Sequence, residues 1–150
     1  MAAGEDDAEV RTNFMAALTL TAAVTSKEET IASVEDKLEG CYELCFNVAT
    51  CMLSLGDISG AEGKVREAVL LCKESLEEED YTPEEIEEEL GSMRVQLAFI
   101  EQARGNAPQA ETVYSEYLHS AATSKTVNAV AANNLLVIRR KRDMFDSFKR

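Results

Sequence analysis

"VATCMLSLGDISGAEGKV" (Val48 to Val65) and "LAFIEQARGNAPQAETVY" (Leu97 to Tyr114) are built to one plan. Each carries an alanine (Ala49, Ala98) seven residues before a glycine (Gly56, Gly105) and another (Ala61, Ala110) five after it; a larger side chain (Val65, Tyr114) follows four further on. Helical periodicity runs up to each glycine and resumes directly after it, so the break is too tight to join anything but antiparallel neighbours. Small residues on facing helices let two backbones approach closely, and the large one fills the space beside them. The building unit is a helical hairpin.

A small residue before the turn, followed by alanine and a large side chain after it, is the tetratricopeptide signature of paired helices. The match is incomplete: the usual tryptophan slot holds Cys45 in one repeat and Arg94 in the other, and both lack the terminal proline. Outward from the two turns, the periodicity predicts helices over 8–25, 39–55, 58–77, 83–104, 107–122 and 126–140. Strand signatures are missing, with no alternating Val/Ile/Thr run and no Asn-Gly or Asp-Gly turn. The expected fold is all-α, a tetratricopeptide-like superhelix of antiparallel helix pairs forming one protein-binding domain over residues 1–150.

Ala61 and Ala110 lie 49 apart, where the repeat should be about 34. The surplus falls on "LEEEDYTPEEIEEEL" (Leu76 to Leu90), and nine of the thirteen residues 77–89 are acidic. This is an insertion between repeats that prolongs one helix and caps the next. Thr82 as N-cap, Pro83 in the first turn and Glu85 three residues after the cap make a capping box. The acidic run reads as a solvated connection, with docking of a basic partner as the alternative.

Composition limits the chemistry. The chain has 150 residues, four cysteines and a single histidine, His119. It shows no membrane-length apolar run and no signal-peptide core, which suits a reducing cytosolic setting in which thiols stay free. On a helix Cys41 and Cys45 share a face, whereas Cys51 turns about 80° to the other side of Cys41. The cysteines therefore read as small buried hydrophobes, not as a metal site or a disulfide framework. No cofactor is expected, and no cluster of titratable groups marks an enzyme. A net charge of −13 argues against nucleic-acid binding across the domain. The row Arg139, Arg140, Lys141 and Arg142 reads as charge complementing a helix C-terminus, with a phosphate contact or import signal as the alternative.

In a superhelix of such hairpins the first helix of each pair lines the concave face, which holds extended segments of other proteins. Asn13 and Asn47 are 34 apart; Asn47 and Gln96 each stand two residues before a small packing residue, and Asn133 falls at a similar place. Amides there can bond the backbone of a peptide whatever its side chains. Phe46, Thr50, Leu53, Val95 and Phe99 stand beside them. The expected partner-binding groove is apolar, neutral and studded with amides; the alternative is that the amides join neighbouring repeats.

Several stretches resemble one family. "ELCFN", "LGDISGAEGKVREAVLLCKESL", the acidic insertion, "AFIEQARGNAPQAETVY", "AVAANNLL" followed by "MFDS", and "RTNFMAAL" near the start are similar to the tetratricopeptide region of the 72-kilodalton subunits of the eukaryotic signal recognition particle, over about Glu9 to Ser147. Those subunits are considerably longer, so the chain reads as an internal segment of one. The resemblance implies a scaffold that binds the C-terminal part of the 68-kilodalton subunit and supports cotranslational targeting to the endoplasmic reticulum. It implies a cytoplasmic ribonucleoprotein with an assembly stage in the nucleolus, no membrane insertion, and RNA contacts made elsewhere in the particle. The competing reading is a co-chaperone adaptor gripping chaperone C-termini. That would require inward-facing Lys or Arg on the first helices.

Overall fold

A computed structural model describes residues 40–120 and 124–148, except for the side chains of 143–148. The helix expected over 8–25, and Asn13 with it, lies outside the described residues. Among the described residues the structure is all-helical: α1 (Tyr42–Leu55), α2 (Ile58–Glu78), α3 (Pro83–Glu89), α4 (Gly91–Ala103), α5 (Ala107–His119) and α6 (Lys125–Phe148). The chain divides into two compact units, Met1–Ser75 and Leu76–Arg150.

In the first unit, α1 and α2 are joined at Gly56, whose φ of 86° is a left-handed conformation open to glycine. The Gly56 N–H donates to the Leu53 carbonyl at 3.1 Å and the Asp57 N–H to that of Met52 at 2.9 Å. This pair of bonds satisfies carbonyls that the helix end leaves open. Asp57 then starts α2 by accepting the Gly60 N–H at 2.9 Å. A Cβ at Gly60 would collide with that carboxylate, so the glycine leaves room for the cap. Behind the turn, Leu44, Cys45, Val48 and Ala49 of α1 are fully buried, as are Ala61, Val65, Ala68 and Cys72 of α2. Their three- and four-residue spacing makes one apolar stripe on each helix.

The second unit begins with the same kind of closure made without glycine. Asp80 adopts φ 60°, and the Tyr81 N–H reaches the Leu76 carbonyl at 3.0 Å. Aspartate is among the few side chains that enter this region readily. The capping box follows: the Thr82 N–H donates to the Glu85 carboxylate at 2.9 Å and the Glu85 N–H to the Thr82 hydroxyl at 3.4 Å. The Thr82 hydroxyl also donates to the Glu85 carboxylate at 2.8 Å, and the bonds from the Thr82 N–H and hydroxyl hold that carboxyl below the usual carboxylate range.

The expected single helix 83–104 is two, with α3 ending at Leu90 and α4 restarting at Gly91. The break falls at a close contact. A Cβ on Gly91 would lie 2.7 Å from Cε2 and from the hydroxyl of Tyr117 on α5, so only glycine lets the chain pass the ring. After α4, Gly105 (φ 92°) repeats the Gly56 turn, with the Asn106 N–H donating to the Glu101 carbonyl at 2.9 Å. Helices α4, α5 and α6 then pack around Val95, Ala98, Ala110, Tyr114, Tyr117, Ala131, Leu135 and Ile138.

Helix α6 continues to Phe148 instead of ending near 140. Arg139 to Arg142 therefore do not sit at a helix terminus, which corrects the reading of this row as charge complementing a helix end. Arg139 and Arg142, three residues apart on one face, instead hold Glu111 of α5 at 2.9 and 2.8 Å.

Candidate partner-binding site

On α1, Phe46, Asn47, Thr50 and Leu53 occupy the side opposite the buried stripe. Thr50 is exposed and the other three are half-buried. The Thr50 hydroxyl donates to the Phe46 carbonyl at 3.0 Å, so its methyl group joins the apolar part of the face. On α4, Gln96 and Phe99 stand one turn apart; Gln96 is half-buried and Phe99 is 40% exposed. The periodicity thus brings the candidates together in two groups, one on each helix.

Two candidates fall elsewhere. Val95 is only 4% exposed and belongs to the core of α4, α5 and α6, which corrects its place in the groove lining. It shares a stripe with Gly91, Ala98 and Gln102, and adjacent residues on a helix point about 100° apart. Asn133 is exposed on α6, away from the α4 face. Its neighbour Asn134 turns inward and donates to the Tyr114 hydroxyl at 3.3 Å, while that hydroxyl donates to Gln102 at 3.2 Å. An amide bridge across α4, α5 and α6 thus exists at residues the amide column did not include. The signal was available: Asn134 falls on the stripe of Ala131, Leu135 and Ile138.

The two faces lack cations, and the α1 face carries the exposed carboxylate of Glu43 one turn before Phe46 and Asn47. Helix α1 contains no Lys or Arg. The only cation of α4 is Arg94, which donates to Glu87 of α3 at 2.7 Å. The acidic stretch makes an open cavity of about 370 Å³ lined by Glu77, Asp80, Tyr81, Pro83, Ile86 and Glu87.

The thiols show no reactive setting. Burial, reinforced by the nearby Glu67 carboxylate, pushes Cys45 up to about 11, so it stays protonated and a poor nucleophile at neutral pH. The Cys41 thiol donates to Glu43 at 3.1 Å. Among the described residues, no group of three His, Cys, Asp or Glu is placed to hold a metal ion. No helix among them is long and apolar enough to cross a membrane.

Comparison with known proteins gives one consistent similarity. The chain is 32% identical over 145 residues to the signal recognition particle subunit SRP72 of Canis lupus familiaris, covering 96% of this chain and 21% of the relative. It is 32% identical over the same length to that of Homo sapiens. Against SRP72 of Schistosoma mansoni it is 37% identical over 110 residues, 73% of this chain and 16% of the relative. The chain spans about a fifth of the length of the mammalian relatives it matches. No family model and no solved structure matches it.

Proposed function

We propose that this chain, which is homologous to one region of the SRP72 subunits of the signal recognition particle, is a non-catalytic scaffold of tetratricopeptide-like hairpins. In this reading it holds an extended segment from the C-terminal part of the 68-kilodalton subunit. It thereby supports targeting of nascent proteins to the endoplasmic reticulum from a cytoplasmic ribonucleoprotein. The observation that carries the reading is the pair of faces without Lys or Arg, Phe46, Asn47, Thr50 and Leu53 on α1 with Gln96 and Phe99 on α4. Amides there pair with the partner's peptide groups, and the two phenylalanines cover its apolar side chains. The co-chaperone alternative is disfavoured by charge. A carboxylate clamp needs cations on these faces, whereas α1 has none and Arg94 is already paired with Glu87.

The test is calorimetric titration of the chain with the purified C-terminal segment of the 68-kilodalton subunit. Asn47→Leu and Gln96→Leu should each weaken binding about tenfold or more, because each leaves peptide groups of the partner unpaired at about 1–3 kcal/mol. Melting temperature should move less than affinity. Normal binding with early melting would assign the amides to helix packing and leave the faces to Phe46 and Phe99. Recovery of chaperones from cytosol without the 68-kilodalton subunit would overturn the assignment.

A further inference from the structure

Helix α6 buries one side in the core through Ala131, Leu135 and Ile138 and leaves the other bare. On that bare side Val130 is 47% exposed, Leu136 65% and Val137 38%. Val130, Asn133, Val137 and Arg140 follow one another at intervals of three, four and three residues. That is the spacing of the seam along which a second helix lies in a coiled coil. Leu136 flanks the seam, where it would widen the apolar contact.

Charge distinguishes the occupants. From Lys125 to Arg142, α6 carries five basic residues and no acidic one, within a chain whose net charge is −13. Arg139 and Arg142 are held by Glu111. Arg140 and Lys141 are exposed and form no ion pair among the described residues, and Arg140 closes the seam one turn beyond Val137. We propose that the exposed face of α6 docks a single amphipathic helix of a partner protein, apolar along one stripe and acidic where it meets Arg140. The face belongs to a different helix from those of the scaffold reading, so the inference goes beyond it. RNA fits less well. Two available cations make a weak phosphate footprint, and the exposed Leu136 and valines contribute nothing to it. Asn133 within the seam suits a helix partner, because a lone amide there fixes register.

The probe is a labelled synthetic helix of about three heptads with leucine at the seam positions and glutamate on both flanks, which also keeps it from pairing with itself. Fluorescence anisotropy should show it binding the whole chain with a dissociation constant of about 10 μM or tighter. Val137→Glu and Leu136→Glu should each weaken it about tenfold or more. Leu70→Glu, at an equally exposed leucine on α2 (63% exposed), should leave it unchanged. Arg140→Glu should weaken it about fivefold, and a probe with lysine replacing the facing glutamate should restore the affinity. All these positions are exposed, and circular dichroism should show each variant as helical as the parent chain. The proposal is overturned if the probe fails to bind, or if Val137→Glu and Leu136→Glu leave its binding intact. It is equally overturned if Arg140→Glu abolishes binding of a single-stranded RNA oligonucleotide that Leu136→Glu retains. Dimerisation of the chain that Val137→Glu abolishes would give the face to a second copy instead.

Discussion

Replacing Gly91 by alanine reverses the usual sign of that substitution. In an exposed helix interior, Gly→Ala stabilises by about 1 kcal/mol, because it removes backbone freedom from the unfolded chain. Gly91 is buried, and an added methyl would stand 2.7 Å from two atoms of the Tyr117 side chain and 3.1 Å from a third. Tyr117 is itself only 7% exposed and packed in the core with Ala110 and Ala131, so the ring has little room to retreat. Overpacking of this kind costs about 1–3 kcal/mol. Set against the gain in propensity, a net loss of about 1 kcal/mol is expected, or about 2–4 °C in melting temperature for a chain of this size. Urea unfolding followed by circular dichroism measures it. The decisive comparison is a double-mutant cycle, because Tyr117→Leu removes the atoms that the methyl would strike. In that background Gly91→Ala should become neutral or stabilising, giving a coupling of about 1 kcal/mol or more. If Gly91→Ala stabilises both backgrounds equally, the close approach of α4 to α5 does not exist and the account of the break at Leu90 fails with it.

Two further outcomes follow from the charges and thiols. The Glu111 carboxyl is held below its ordinary range, first by its hydrogen bond from Arg139 and also by Arg142; its contribution to stability is present above the unfolded value of about 4.3 and is lost as pH falls through the folded one, so a Glu111→Gln chain should show a shallower acid loss in a pH series of urea midpoints. Half-buried Cys41 should react with a maleimide at pH about 8 long before Cys45, raised to about 11 by burial and Glu67, and chelator should leave the melting temperature unchanged; mass spectrometry finding Cys45 labelled first would contradict the buried-thiol assignment.

What was legible in the sequence is what local chemistry dictates. Gly56 and Gly105 announce their turns because the left-handed conformation there favours glycine, and Thr82, Pro83 and Glu85 announce a helix start because cap, ring and carboxylate act within four residues. Asp80 makes the same closure as the glycines, yet aspartate occupies so many other settings that it gives no signal. Gly91 was hidden for a different reason: its neighbour Tyr117 is 26 residues away in the chain, and a contact of that range leaves no local trace. The end of α6 was misplaced because a run of four cations looks like a terminus; a carboxylate on another helix, Glu111, is what accounts for two of them. In the candidate site, Phe46, Asn47, Thr50 and Leu53 could be grouped by period alone. Val95 could not be separated from Gln96 without knowing which stripe of α4 the core claims.

The consecutive asparagines of α6 show why an amide by itself does not identify a binding residue. Asn134 falls on the stripe of Ala131, Leu135 and Ile138 and reaches the Tyr114 hydroxyl, which passes its own proton to Gln102 of α4. A phenol buried as fully as Tyr114 needs such partners, since an unpaired hydroxyl there would cost about 1–3 kcal/mol. Asn134 and Gln102 therefore belong to the fold. Asn133 is turned about 100° from its neighbour and stands exposed between Val130 and Val137, where an amide adds little to packing and constrains the register of whatever lies against it. The same distinction applies on α4. Gln102 shares the buried stripe of Ala98 and Val95, whereas Gln96 and Phe99 fall outside it. Membership of the buried stripe, more than residue type, separates the amides that pack into the core of α4, α5 and α6 from those that face away from it.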